Sequence, residues 1–139
     1  MNSFVLDASV ALHWFLDHPM PSYANRVKRF FLKGARAVVP ALWHLEMSNG
    51  LAVAERRSIL TPADVDHAMI DIEQIVAQAV DTDSIVVSVR ESLATARALQ
   101  LSAYDAVYLD LARRVKLPLA TLDEQLRAAA GHAGVELLH

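Results

Sequence analysis

Apolar positions along the chain follow two rhythms. Short oily runs occur at Phe4–Leu6, Ala37–Val39 and Leu119–Ala120, each closed by an ionisable residue, a proline or a threonine. Such runs read as strands covered on both faces. Between them, apolar residues recur every three or four positions, the spacing of a helix with one buried stripe. The pattern predicts a strand over residues 3–6, then helices from about Ser9 to Leu16 and from about Ser22 to Lys33. A second strand over Ala37–Val39 is stopped by Pro40, and a helix follows from Ala41 to Arg57. Thr61-Pro62-Ala63-Asp64 is a helix start, with Thr61 as N-cap and proline in the first turn, and that helix runs to about Gln78. An extended piece near Val80-Asp81 leads to a helix from about Ser84 to Leu99, and Ser102 opens another that ends near Lys116. Leu119-Ala120-Thr121 is a short strand, Asp123 to about Ala130 a helix, and Val135–Leu138 an edge-like strand. Short strands alternating with helices indicate an α/β fold with a mainly parallel sheet. With no repeat, linker or low-complexity stretch, residues 1–139 are expected to form one domain.

Composition narrows the class. At 54% hydrophobic and 21% charged, the chain has the makings of a packed core and is not a disordered polymer. The absence of cysteine excludes disulfides, thiolate metal sites and a thiol nucleophile. The start shows no signal-peptide pattern, and no apolar run approaches the roughly 20 residues of a membrane span, so the cytoplasm is the expected compartment. A net charge of −3 is not that of a protein gripping nucleic acid with its whole surface. Charge is uneven, with Arg26, Lys28, Arg29, Lys33 and Arg36 early and Asp64, Asp66, Asp71, Glu73, Asp81, Asp83 and Glu91 in the middle. Both runs read as solvated helix faces.

Four acids sit awkwardly. Asp7 interrupts FVLDASV at the end of the first strand, where an unpaired charge would cost several kcal/mol. Glu46 and Asn49 share a helix face with Leu42 and Val53. Asp105 lies in SAYDAVYLDLA, and Asp123 follows Leu119-Ala120-Thr121-Leu122. Each also has a purely structural reading: Asp7 as an N-cap, Asp105 in a capping box with Ser102, Asp123 as a first-turn charge beside a Thr121–Glu124 box, Glu46 in an ion pair. Taken together they suggest more. Ligands of an open α/β sheet gather outside the carboxyl ends of the strands. Carboxylates converging there would repel one another, and a divalent cation with hard-oxygen preference, Mg²⁺ or Mn²⁺, would relieve the conflict. His13, His44 and His67 lack zinc-site spacing and read as structural. Asp110 has Arg113 and Arg114 at helical spacing, which favours a surface ion pair.

FVLDASV, PALWHLEMSNGL, LSAYDAVYLDLA and LATLDEQL together resemble the PIN domain and, more narrowly, the VapC-type toxins of toxin–antitoxin pairs. The resemblance spans essentially the whole chain. It implies a PIN-like fold and a Mg²⁺-dependent endoribonuclease whose acidic metal site is Asp7, Glu46, Asp105 and Asp123. Ser9 and Thr121 match hydroxyl positions flanking that site, and Asn49 a polar position one turn after the glutamate. It also implies a cognate antitoxin protein, an RNA substrate and a homodimer. Trp14, Phe15, Phe30 and Phe31 are candidates for a groove that receives the antitoxin, with core packing as the alternative. Two other readings differ at identifiable points. A haloacid-dehalogenase-like phosphotransferase would use Asp7 as nucleophile and favours an aspartate two residues on, where this chain has Ser9. An interaction module would keep the acids without catalysis.

Overall fold

The computed structural model describes residues 3–16 and 19–139. Four parallel strands, β1 (Ser3–Leu6), β2 (Arg36–Val39), β3 (Val80–Thr82) and β4 (Leu119–Ala120), form one sheet in the order β3-β2-β1-β4. Helices α1 (Ala8–Leu16) and α2 (Ser22–Leu32) connect β1 to β2, while α3 (Leu42–Arg56) and α4 (Pro62–Ala79) connect β2 to β3. Helices α5 (Val89–Leu99) and α6 (Ala103–Val115) lead to β4, and α7 (Glu124–His132) follows it. The α/β class and the parallel sheet expected from the alternation are both present.

The central strands are short runs of buried apolar residues, whereas β3 at the sheet edge buries only Val80. Phe4, Val5, Leu6, Leu119 and Ala120 have no exposed surface. Burying a side chain of Val, Leu or Phe size contributes about 1.5–3 kcal/mol, so this centre carries much of the fold. The chain builds outward from β1 through β2 to β3, then returns to place β4 on the other side of β1. The strand order therefore reverses between β1 and β4, which opens a crevice at their carboxyl ends. Val5 pairs with Leu119 and Leu6 with Ala120, so Asp7 and Thr121 emerge side by side.

Helix α1 packs on α3 at Gly50, where an added Cβ would lie 2.5 Å from Leu12 Cδ2. Thr61 caps α4 in a complete capping box with Asp64, as its sequence suggests. Helices α5 and α6 each end in a left-handed residue, Gln100 at φ 54° and Lys116 at φ 57°. Trp14 is buried in the core and Phe15, Phe30 and Phe31 are partly buried against it: the Trp14 indole N–H donates to the Ala24 carbonyl, and Phe31 packs edge-on against Phe4 and Trp14. Among the described residues no helix is long and apolar enough to cross a membrane.

Some expectations needed correction. Helix α5 begins at Val89, not near Ser84, because Ser88 is its N-cap and accepts the Glu91 N–H. The β-branched run Ile85-Val86-Val87 before it stays outside the helix and exposed. The Val135–Leu138 segment makes only a single bridge, Leu137 to Leu119, although Leu119 donates to the Glu136 carbonyl and accepts from Leu138. Asp110 pairs with neither arginine: it accepts from the Thr95 hydroxyl, and Arg114 forms its ion pair with Asp83.

Candidate functional site

Asp7 leaves β1 with its backbone N–H tied to the Ala120 carbonyl at 2.9 Å. That bond carries the carboxylate straight to the switch point. The side chain is only 5% exposed. Ser9 Oγ and Thr121 Oγ1 both donate to the same oxygen, Oδ2, each at 2.7 Å. Neither hydroxyl can turn away easily. Ser9 Oγ accepts the Leu122 N–H and Thr121 Oγ1 accepts the Asp123 N–H, each at 3.1 Å, which leaves their protons directed at Asp7. Burial pushes the Asp7 carboxyl up; the Thr121 and Ser9 hydroxyls and the Ser9 backbone N–H pull against it, and the Asp123 charge adds to the rise.

Glu46 reaches the site from the second turn of α3. Its Oε1 accepts a 2.6 Å hydrogen bond from Tyr108, whose side chain is wholly buried in α6. Burial raises the Glu46 carboxyl, the Tyr108 bond opposes that, and the Asp7 and Asp105 charges reinforce it. Asp105 sits in the first turn of α6, where Ser102 Oγ caps its backbone N–H at 3.1 Å. Burial first, then the Asp123 and Asp7 charges, lift its carboxyl from 3.8 to about 6.

Asp123 is itself the N-cap of α7, with Oδ1 accepting the Leu126 N–H at 3.1 Å. This replaces the anticipated Thr121–Glu124 box, because the Thr121 hydroxyl is committed to Asp7 and to the Asp123 N–H. Asn49 is exposed one turn beyond Glu46. His44 is structural as expected, bonded to Thr82 Oγ1 at 2.9 Å.

The four acids are thus brought to one edge of the sheet and act on each other's charge: Asp7 with Asp123, Glu46 with Asp7, and Asp105 with both Asp7 and Asp123. Among the described residues, no group of three or more His, Cys, Asp or Glu side chains is arranged so that it could hold one metal ion. The donor set nevertheless fits a hard divalent cation. Every candidate ligand is a carboxylate oxygen, burial and then neighbouring acid charges raise Asp7, Glu46 and Asp105, and Mg²⁺ is commonly held by one or two carboxylates with water completing its shell. Two clefts of about 970 and 660 Å³, one beside Ile85–Val87 and one between α3 and α4, contain none of the four acids.

Two polar residues at the site escaped the sequence reading. Tyr108 lies three positions after Asp105, on the same helix face, and a buried tyrosine needs a hydrogen-bond partner. Arg127 donates to the Thr121 carbonyl at 2.7 Å and lies 5.0 Å over the Tyr23 ring, a long-range placement with no local signal.

Comparison with known proteins agrees with this architecture. One solved structure, the "Crystal structure of PAE2754 from Pyrobaculum aerophilum", shares the fold with a TM-score of 0.65 at 24% identity, over 92% of this chain and 79% of that one. A search of curated proteins found no match. The PIN domain family matches residues 4–132, nearly the whole length, and proteins of that family are generally metal-dependent nucleases: the chain belongs to the PIN domain family.

Proposed function

We propose that this chain is a single-domain, Mg²⁺-dependent endoribonuclease, with Mn²⁺ able to substitute, and that it is the VapC-type toxin of a type II toxin–antitoxin pair. The observation that carries the nuclease reading is the convergence of Asp7, Glu46, Asp105 and Asp123 at the β1/β4 switch point, where burial first and neighbouring acid charges second raise the carboxyls of Asp7, Glu46 and Asp105. The likeness of its four acidic motifs to those of VapC toxins supports the narrower reading.

In this reading Asp7, Glu46 and Asp105 are the principal metal ligands, and Asp123 takes part directly or through water. The bound cation would neutralise charge on the scissile phosphate and lower the pKa of the attacking water. The chain's own residues supply rigidity. Ser9 and Thr121 orient Asp7, the cap on Leu126 holds Asp123, and Asn49 is an outer polar contact beside Glu46. With water as the nucleophile and the ribose 3′-oxygen as the leaving group, the products are a 5′-phosphate and a 3′-hydroxyl. The protein acts in the cytoplasm as a homodimer, and a small antitoxin restrains it. An antitoxin arginine would suit the cluster, since a guanidinium pairs with carboxylates bidentately and offsets the charge a cation would offset.

The test is cleavage of RNA by the purified chain in Mg²⁺ and in EDTA, followed by growth of cells expressing it with and without the small neighbouring open reading frame. Cleavage that survives EDTA would refute the metal-dependent reading. Metal-dependent cleavage by a chain that is harmless when expressed alone would replace the toxin with a housekeeping nuclease.

A further inference from the structure

Hydroxyl and amide donors divide the two oxygens of three site carboxylates unequally. On Asp7, both Ser9 and Thr121 donate to Oδ2 and neither to Oδ1. On Glu46, Tyr108 donates to Oε1 and leaves Oε2. On Asp123, the Leu126 N–H occupies Oδ1 and leaves Oδ2. The donors come from α1, the β4 end, α6 and α7, so the pattern is not a product of one local turn. Tyr108 joins two separate helices, α6 and α3. Its ring is wholly buried, and it lies 62 residues from its partner.

Cations differ in what they ask of such a site. Mg²⁺ and the similarly sized Mn²⁺ accept single carboxylate oxygens in an octahedron completed by water. Ca²⁺ takes six to eight oxygens and gathers them partly through bidentate carboxylates. A carboxylate with one oxygen committed to a hydroxyl is a poor bidentate ligand.

Building on the metal-site reading above, we infer that Tyr108 is a positioning residue that holds Glu46 in one-oxygen presentation, and that with Ser9 and Thr121 on Asp7 it makes the site select a small octahedral cation against Ca²⁺. Ser9 and Thr121 fix Asp7, and Tyr108 fixes Glu46 from α6.

The experiment is Mn²⁺ binding to the full chain without RNA, followed by the spin-resonance signal of free Mn²⁺, with Ca²⁺ as competitor. Wild type should bind Mn²⁺ and resist Ca²⁺. Tyr108→Phe keeps the ring and removes the donor; it should lose about 10–100-fold in Mn²⁺ affinity, the usual scale for an outer partner of a ligand. Its Ca²⁺ affinity should fall less, so the preference narrows. A thermal melt checks that the variant folds. Should it not fold, Thr121→Val should narrow the preference at Asp7 while Thr121→Ser retains it. An unchanged Mn²⁺-to-Ca²⁺ ratio in the folded variants, or no Mn²⁺ binding by wild type, overturns the inference. If wild type binds Mn²⁺ with this selectivity yet cleaves no RNA, the nuclease reading fails and the positioning role stands.

Discussion

Asp105→Asn should stabilise the metal-free protein at neutral pH. A carboxyl held at about 6 in place of 3.8 carries a penalty on its ionised form of about 3 kcal/mol at full weight. Asp105 is only partly buried, and screening by solvent reduces this to about 1–2 kcal/mol. The folded-state pKa is raised, so the folded protein holds its proton longer than the unfolded chain does. Stability is therefore lost as pH climbs from about 4 to above 6, and the full penalty is present at pH 8. Asparagine carries no charge to desolvate, and the Ser102 cap is undisturbed because it binds the backbone N–H of residue 105. In EDTA, Asp105→Asn should raise Tm at pH 8 by about 3–8 °C, given the size of the domain. At pH 4 the variant and wild type should melt together. Differential scanning fluorimetry at both pH values decides the matter. Equal melting at pH 8, or an equal gain at both pH values, would refute the claim that charge at this position opposes folding.

Asp7→Asn should abolish metal-dependent RNA cleavage while leaving the circular dichroism spectrum intact, because Ser9 and Thr121 can still donate to the amide oxygen; cleavage equal to wild type would remove Asp7 from the site. Mg²⁺ should raise Tm more at pH 7.5 than at pH 5, since protons compete for Asp7, Glu46 and Asp105, all of whose carboxyls are raised. A Mg²⁺ effect independent of pH would argue against a shared carboxylate site. Gln100→Gly should stabilise by about 0.5–1 kcal/mol in urea unfolding, because only glycine adopts the left-handed cap without steric cost. A loss of stability would show that the Gln100 side chain contributes more than its backbone conformation costs.

Strands β1, β2 and β4 were legible because each holds a short apolar run, and the helix starts at Thr61 and Ser102 because a cap needs only a local hydroxyl. Asp7 was legible for a related reason, since an unpaired charge at the end of a buried strand is costly, while Glu46, Asp105 and Asp123 stood out only together with it and through the family resemblance. What could not be read was set by distant partners. Only the fold reveals that the Asp7 hydrogen bond to Thr121 spans 114 residues, or that the Tyr108 phenol meets Glu46. Helical spacing put Asp110 beside Arg113 and Arg114, yet α5 supplied Thr95 and the β3–α5 loop supplied Asp83 as nearer partners. Ile85–Val87 looked helical by continuity with the residues after it, but the run is β-branched and Ser88 is the better cap.

Placing β4 beside β1 has a consequence for synthesis. The ribosome makes Asp7 more than a hundred residues before Thr121, and β1 can gain this neighbour only after β4 has emerged. A β4 of two residues cannot hold its place alone, and it is buttressed by backbone bonds to Glu136 and Leu138. Closing so long a loop is paid in chain entropy before any contact returns it, so this pairing belongs to the late stages of folding. Nascent chains therefore carry Asp7 without the Thr121 hydroxyl that helps to orient it. Whatever chemistry the acids perform waits on β4 emerging and packing, and a partner that recognises the finished sheet edge has no target before that moment.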